Sequence, residues 1–274
     1  YEKDGKAVYT ATCTFEGKTY QDTKTEELPM KKAEARFDKA LYRLYVTEKG
    51  KAKLISKYEE DGFVSIKSSD EDVAKVSKYG TITTVAPGTA EITATTKTGE
   101  KVEAAVIVKR PTVTLNAKSI PLQLKKSTTA LKVKTKIDTD SVSKWSSSNS
   151  SIVYISQSGK MTAKRIGTAK IKVTMKSGAT AYCTVKVQKS SVKTTSVYVN
   201  RTKVNLSLSG TKTFKLVLTR YPITTTETVT YRSLKTSVAT VSKYGTITAQ
   251  KAGTATIKVM SGKITREIKV TVSK

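Results

Sequence analysis

Apolar and polar residues alternate in short runs along most of this chain. The stretch 169–174, AKIKVT, places alanine, isoleucine and valine at odd positions, with two lysines and a threonine between them. A period of two predicts a β-strand with one buried and one solvent-facing side. Glycine-containing turns such as SKYGTI separate the runs, and glycine readily adopts the conformations that tight hairpins need. The pattern predicts an all-β protein whose antiparallel sheets pack face to face.

One segment of the chain occurs three times. Residues 73–94, 152–173 and 238–259 align without gaps, and each copy contains two glycines eight positions apart. The copies begin 79 and 86 residues apart. This period is too long for a solenoid repeat and has the size of a small independent domain. The chain therefore contains three related domains.

The same register continues upstream of each copy. An apolar residue stands seven positions before each one, namely Ile66, Trp145 and Tyr231. Because all three are apolar, we expect Trp145 to pack in a core rather than to bind a sugar. The register also predicts two further equivalent sets: Leu44, Leu122 and Leu206, and then Ala52, Ala130 and Phe214.

The run that begins at Trp145, WSSSNSSIVYISQSGKMTAKRIGTAKIKV, resembles the bacterial immunoglobulin-like domain of group 2. The motif of that family is an aromatic followed by SS(N/D), an apolar pair, G.(I/V/M)T and GTA.I.V. The resemblance implies sandwiches of about seven strands, found in tandem in bacterial surface proteins, adhesins and the non-catalytic tails of secreted carbohydrate-active enzymes. We expect immunoglobulin-like β-sandwich domains at 33–109, 110–189 and 190–274.

Residues 1–32 precede the three domains and alternate as two strands joined by the turn EGK. Two strands alone are marginally stable in water. We therefore predict either the end of a preceding module or a hairpin that packs on the first domain. Cys13 and Cys183 both fall on the apolar side of their strands, so we expect two buried thiols and no disulfide.

The charge of the chain is strongly positive and uneven. It contains 50 Lys and Arg against 22 Asp and Glu, for a formal net charge of +28. Residues 110–274 alone hold 31 cations and four acids. Such an excess indicates a polyanionic partner. Because 42 of the 50 cations are lysine and no aromatic stacking motif accompanies them, sequence-specific nucleic acid is disfavoured. An anionic cell-envelope polymer or an acidic glycan fits better.

The residues needed for catalysis are scarce. The chain has no histidine, which excludes Ser-His-Asp and Cys-His nucleophiles and removes the commonest metal ligand. Acids cluster only at 59–61 and 70–72, where we interpret them as solvated loop residues, since no calcium-loop spacing is present. We predict no enzyme activity, no cofactor and no metal.

The lysines provide the candidate binding residues. In ALKVKTKI, Lys132, Lys134 and Lys136 share the outward side of one strand, and we expect Lys170, Lys172 and Lys186 to extend that face. The exposed turns SKYGTI place Tyr79 and Tyr244 as candidates for stacking on a glycan, with capping of the sandwich end as the alternative. A solvated face that keeps the chain soluble is the alternative for each lysine.

These observations lead to one preferred hypothesis and two alternatives. We expect a non-catalytic, elongated stalk of a secreted bacterial cell-surface protein, joined to other modules, whose basic half associates with the cell wall. The alternatives are a glycan-binding adhesin and the accessory tail of a secreted carbohydrate-active enzyme. No run approaches the roughly 18 apolar residues of a membrane span, so this segment is not expected to cross a membrane.

Overall fold

A computed structural model describes residues 5–28, 34–57 and 61–274. Within these ranges the regular structure consists of 29 β-strands and no helix, so the all-β prediction is confirmed. Glu59 and Glu60 of the first acidic cluster lie outside the described residues. The chain forms two compact units. The first contains 1–112, 136–141 and 176–179, and the second contains 113–135, 142–175 and 180–274.

The first unit begins with a β-hairpin. Strands β1 (Gly5–Phe15) and β2 (Lys18–Leu28) pair antiparallel, with Phe15 opposite Lys18. Among residues 6–27, only Ala7 is half-buried and the others are exposed. Residues 6–27 therefore add no buried side chain to a core, and the expectation that Cys13 is buried is wrong. The reason is physical, because a ribbon of two strands has no second sheet to cover either face.

Three β-sandwiches follow the hairpin. The first sandwich lies in the first unit, and the strands of the second and third sandwiches lie in the second unit. Each sandwich contains nine strands among the described residues. The first sandwich contains β3 (Arg36–Phe37), β4 (Leu41–Tyr45), β5 (Lys49–Lys51), β6 (Leu54–Ile55), β7 (Phe63–Ser68), β8 (Ala74–Val76), β9 (Thr81–Thr84), β10 (Gly88–Thr96) and β11 (Lys101–Lys109). The second contains β12 (Val113–Leu115), β13 (Ser119–Gln123), β14 (Ser127–Thr128), β15 (Val133–Thr135), β16 (Val142–Ser147), β17 (Val153–Ile155), β18 (Met161–Ala163), β19 (Gly167–Met175) and β20 (Thr180–Gln188). The third contains β21 (Ser196–Val199), β22 (Lys203–Ser207), β23 (Thr213–Lys215), β24 (Leu218–Tyr221), β25 (Val229–Ser233), β26 (Ala239–Val241), β27 (Thr246–Ala249), β28 (Gly253–Ser261) and β29 (Ile264–Ser273).

The strands pair in the same order in all three sandwiches. In the second, a four-stranded sheet runs β13-β20-β19-β16, a three-stranded sheet runs β14-β18-β17, and β12 pairs with β15. The first and third sandwiches repeat this topology strand for strand. The first strand of each four-stranded sheet pairs in parallel with the last strand of its sandwich, and the neighbours in the ladder are antiparallel. The repeat seen in the sequence is therefore a repeat of a complete sandwich.

The GTA.I.V motif supplies the centre of each core. Its isoleucines are Ile92, Ile171 and Ile257, and all three are fully buried. Trp145 is 8% exposed and lies against the hairpin glycine Gly159, so its assignment to the core is confirmed. An added Cβ at Gly159 would stand 3.2 Å from the Trp145 indole nitrogen. Glycine at this turn therefore permits both a positive φ and the close approach of the ring.

Of the two sets of equivalent residues predicted upstream of the repeat, one is confirmed by the structure and the other is not. Leu44, Leu122 and Leu206 occupy the same position, opposite a valine of the last strand in each sandwich. The set Ala52, Ala130 and Phe214 is wrong. The structural equivalents are Ala52, Leu131 and Leu216, all buried.

A side-chain hydrogen bond identifies these equivalents. Asp38, Asn116 and Asn200 each accept a bond from the backbone N–H of the residue after the buried one, at 2.8, 2.8 and 3.0 Å. That residue is Lys53, Lys132 or Val217. Compared with the first sandwich, the segment between the accepting side chain and this residue is one residue longer in the second sandwich and two longer in the third. A comparison of the sequences without gaps cannot detect this difference.

Candidate polyanion-binding face

The six predicted lysines all lie in the second sandwich, but on two different sheets. Lys132, Lys134 and Lys136 alternate with inward residues in and around β15, which pairs with β12. Lys170 and Lys172 lie on β19, and Lys186 lies on β20, in the four-stranded sheet. The expectation of one continuous face is therefore wrong. Alternation predicts which residues point outward, but a sandwich has two outward sides, and strand pairing decides which side each lysine joins.

We call the outward side of sheet β13-β20-β19-β16 the lysine face. It carries Lys144 on β16, Lys170 and Lys172 on β19, and Tyr182 and Lys186 on β20. Across the ladder, Lys172 stands opposite Tyr182 on one side and opposite Ser146 on the other. The remaining outward positions are hydroxyl-bearing or neutral residues, including Ser119, Thr168, Thr174, Thr184 and Gln188. The face therefore offers four ammonium groups among neutral hydrogen-bonding side chains.

Two residues of the lysine face, Tyr182 and Lys144, were not among those predicted from the sequence. Tyr182 has the same parity as Lys186, and Lys144 directly precedes the inward-facing Trp145, so alternation contained the signal for both. A β-bulge between Val142 and Lys144 shifts the register of β16. Counting alternate residues along this strand therefore does not identify Lys144 as outward-facing.

Tyr182 is the centre of the lysine face. The Lys170 Nζ lies 4.6 Å from the centroid of the Tyr182 ring, and the Lys172 Nζ lies 5.8 Å from it. Both distances are within the range of cation–π attraction. The residue is 45% exposed. Tyr182 therefore holds two ammonium groups beside a solvent-accessible aromatic surface.

The equivalent pair differs in the other two sandwiches. Thr93 stands opposite Glu103 in the first sandwich, and Lys258 stands opposite Glu267 in the third. Lys258 and Glu267 form an ion pair at 3.2 Å. Glu267 therefore neutralises the lysine opposite it, whereas Tyr182 carries no charge with which to neutralise Lys172. The lysine face thus keeps a positive charge that the third sandwich partly cancels.

The four acids of residues 110–274, all of which are described, form no ion pair with the lysines of the lysine face. Asp138 and Asp140 precede β16, and the buried Asp140 accepts two hydrogen bonds from Ser177. Glu227 precedes β25. The backbone N–H of Thr194 donates to Glu227 at 2.7 Å and, as the largest cause, lowers the pKa of that carboxyl. Glu267 pairs with Lys258. Glu267 is thus the one acid of these four that forms an ion pair in the structure.

A second basic surface lies on the third sandwich. A shallow depression of about 450 Å³ is bordered by Lys203, Lys235 and Lys269 together with Glu267. Lys203 stands opposite Lys269 in the ladder. This surface is basic as well, but its glutamate makes it the less favourable of the two for an anion.

The two turn tyrosines form a repeated arrangement. Tyr79 and Tyr244 are 68% and 69% exposed. The preceding lysine places its Nζ 5.0 and 5.1 Å from the ring centroid, and the side chain of Lys51 or Lys215 donates to the tyrosine carbonyl. The second sandwich has Ser158 at this turn, with Gln157 before it. Stacking on a glycan and capping of the sandwich end both stay predictions for these two residues.

The described residues provide little for catalysis. No group of three or more His, Cys, Asp or Glu among them is placed to hold a metal ion. Burial raises the pKa of the Cys183 thiol to about 11, which suppresses the nucleophilic thiolate. No helix in the described ranges is long and apolar enough to cross a membrane.

The molecule is thus a tandem array of immunoglobulin-like β-sandwiches. The chain belongs to the bacterial Ig-like domain (group 2) family, whose model matches residues 46–107, 108–185 and 193–272. The resemblance inferred from the sequence motif is therefore confirmed. Among curated proteins, none matches this chain at the sequence level.

Solved structures that match this chain include domains 1–6 of the surface layer protein SbsC, at 20% identity and a TM-score of 0.29 over 97% of this chain. The I9–I11 tandem of titin matches at 12% identity and a TM-score of 0.32, covering 88% of this chain and 100% of that one. Protocadherin gamma B7 domains 1–4 match at 10% identity and a TM-score of 0.28, covering 97% and 83%. The chain spans 45% of the first of these structures and 47% of the SbsC domains 4–9 structure.

Proposed function

We propose that this chain is a non-catalytic stalk segment of a secreted bacterial cell-surface protein, and that its basic second and third sandwiches bind an anionic polymer of the cell envelope. The observation that carries the proposal is the lysine face, where four lysines form no ion pair with any carboxylate of the described residues. Three tandem domains of a bacterial family support the stalk, and the absence of histidine from the sequence supports a non-catalytic role.

The chemistry of lysine favours a polymer over a compact ligand. An ammonium group is a strongly hydrated point charge on a flexible stem and lacks the fork with which arginine recognises one planar anion. Lysines spread over an open sheet suit a repeating anion, whose binding releases condensed counterions and weakens steeply with salt. Residues 110–274 hold 31 cations and four acids, so an anionic partner also relieves self-repulsion within this half.

Sedimentation with purified Gram-positive cell walls tests the proposal. Walls are used intact and after removal of their anionic polymers, at low and at physiological salt, with neutral dextran and dextran sulfate as matched competitors. We expect the chain to sediment with intact walls only, to be released by salt and to be displaced by dextran sulfate alone. Equal sedimentation with stripped walls, or none with either preparation, contradicts polymer binding.

The same proposal includes the hairpin β1–β2, which would be the part of this chain that contacts another module. Val8, Tyr9, Phe15 and Tyr20 are each more than half exposed, and a two-stranded ribbon is marginal alone. We propose that a neighbouring module of the same polypeptide covers them, with β1 and β2 as its last two strands.

A second candidate function rests on the turn tyrosines. The Tyr79 arrangement recurs almost unchanged at Tyr244, and exposed tyrosines are suited to stacking on sugars. A glycan adhesin would bind neutral sugars with little dependence on salt. The double variant Tyr79→Ser/Tyr244→Ser tests this, because Ser158 occupies the same turn in the second sandwich. Loss of binding to a neutral glycan array favours the adhesin, and unchanged binding to every glycan that wild type recognises excludes it.

A further inference from the structure

The lysine face has a feature that net charge does not explain. In the first and third sandwiches the residue opposite the central β10 or β28 position is a glutamate, Glu103 or Glu267, and in the second it is Tyr182. This one difference removes a negative charge and adds an aromatic surface at the same point. A patch that only kept the chain soluble would gain nothing from an exposed aromatic ring.

The geometry of the face matches an extended ligand. Lys170 and Lys172 are two residues apart on β19, a distance of about 6.6 Å along a strand, and the neighbouring strands lie about 4.8 Å away. Lys144 on β16 and Lys186 on β20 continue the positive surface on both sides of β19. The hydroxyl groups of Thr168, Ser146 and Thr184 lie between them as hydrogen-bonding groups.

The two kinds of group on this face recognise two parts of one ligand. Ammonium groups attract phosphate, sulfate or carboxylate, and an accessible aromatic ring packs against the apolar side of a sugar.

We propose that the lysine face is a binding site for an anionic polysaccharide, in which Lys144, Lys170, Lys172 and Lys186 contact the charged groups and Tyr182 contacts a sugar ring. This inference rests on the proposed association with an anionic polymer and names the surface and the ligand chemistry. It predicts that a polymer with both charges and sugar rings binds better than one with charges alone.

Three probes separate these contributions: dextran sulfate, which has rings and charges, polyphosphate, which has only charges, and dextran, which has only rings. Binding of the complete chain is measured by calorimetry at several salt concentrations. We expect dextran sulfate to bind most tightly, polyphosphate more weakly, and dextran not at all.

Two variants on the lysine face test the residues. Lys170→Gln/Lys172→Gln is expected to weaken both polyanions about tenfold and to lower the slope of log affinity against log salt by roughly 1.4 to 1.8, the value for two contacts. Tyr182→Leu is expected to weaken dextran sulfate about fivefold or more, as loss of an aromatic platform does, and to leave polyphosphate within about twofold.

The same sandwich supplies matched controls. Lys132→Gln/Lys134→Gln makes an identical charge change at β15 and the residue before it, in a different sheet. Tyr154→Leu replaces a tyrosine that is 46% exposed, with the Lys164 Nζ 5.0 Å from its ring centroid, against 45% and 4.6 Å for Tyr182. We expect Tyr154→Leu to bind like wild type, and Lys132→Gln/Lys134→Gln to lose much less affinity than Lys170→Gln/Lys172→Gln. Fluorescence of Trp145, the sole tryptophan, verifies that each variant is folded.

The outcomes distinguish this inference from the more general proposal that the chain associates with an anionic polymer. If the two double lysine variants lose affinity equally, binding is spread over the whole basic half, which overturns the localised site and leaves polymer association intact. If Tyr182→Leu weakens both polyanions alike, or neither, the sugar contact is overturned. If wild type binds neither polyanion, the inference and the association with an anionic polymer both fail.

Discussion

Ser177 donates two hydrogen bonds to Asp140 between two loops of the second sandwich. Its backbone N–H lies 3.1 Å from Oδ1, and its Oγ lies 2.7 Å from Oδ2. Both residues are 5% exposed. A buried carboxylate is stable only when its oxygens have partners, so this pair fixes the loop before β16 to the loop between β19 and β20. One of the four acids in the basic half therefore has a structural role.

Removing the Ser177 hydroxyl is expected to destabilise the second sandwich. Ser177→Ala leaves Oδ2 of a buried carboxylate without this partner, which corresponds to a loss of about 1–3 kcal/mol in the free energy of unfolding. Urea unfolding followed by Trp145 fluorescence measures it, because Trp145 is the sole tryptophan and is buried in this sandwich. Ser158→Ala, at an exposed turn, is the control and should change stability by less than about 0.5 kcal/mol. Equal effects at the two positions contradict the role assigned to the pair.

Acid is expected to weaken the first sandwich through Asp38. Desolvation acts to raise the pKa of Asp38, but hydrogen bonds from the Tyr42 hydroxyl and the Lys53 N–H outweigh it and lower the pKa below the ordinary value of 3.8. The unfolded chain therefore binds this proton first. The stabilisation is complete above pH 3.8 and is lost as the pH falls through the lower value of the folded state.

Asp38→Asn provides the matched control for this pH dependence. Asn116 and Asn200 make the equivalent hydrogen bond in the other two sandwiches, so asparagine retains the acceptor without the titration. We expect the variant to lose less stability than wild type between pH 5 and pH 3. Methyl NMR signals of the buried Ile82, followed through urea unfolding at each pH, measure this difference. The same acid sensitivity in both proteins would exclude Asp38 as its source.

The hairpin glycines are expected to differ in their tolerance of alanine. Gly80 and Gly159 have φ values of 78° and 79°, where an L-residue costs about 1–2 kcal/mol. At Gly80 an added Cβ overlaps the backbone carbonyl oxygen of Ala52, whereas at Gly159 the nearest atom is the Trp145 indole nitrogen at 3.2 Å. Gly80→Ala should therefore destabilise the first sandwich more than Gly159→Ala destabilises the second. Ile82 methyl signals and Trp145 fluorescence report the two transitions, and the reverse order would show that the carbonyl overlap relaxes freely.

The two thiols are expected to react very differently. Cys13 is exposed on the hairpin, whereas Cys183 is fully buried, and burial raises the pKa of Cys183 to about 11. One thiol per folded chain should react with a disulfide reagent at neutral pH, and two should react in denaturant. Cys13→Ser should abolish the reaction of the folded chain. Rapid modification of folded Cys13→Ser would mean that the core of the second sandwich opens readily.

The alternation of apolar and polar residues predicted several features of the candidate site, but not all of them. Lys170, Lys172 and Lys186 were predicted to face outward, and Tyr182 and Lys144 followed the same rule, although the bulge in β16 concealed Lys144. Their separation from Lys132 and Lys134 was not readable, because alternation carries no information about the sheet to which a strand belongs. Cys13 shows a further limit, since the parity that buries Cys183 leaves Cys13 in solvent where no second sheet covers the strand.

The sequence by itself determined the strands, the turns and the threefold repeat. These follow from local causes, namely the period of two along a strand and the backbone freedom of glycine at positive φ. Only the tertiary structure decided that Ala52, Leu131 and Leu216 are equivalent and that Tyr182 stands beside Lys170 and Lys172. The reason is that strand pairing joins residues far apart in the chain, across loops whose lengths differ between the copies.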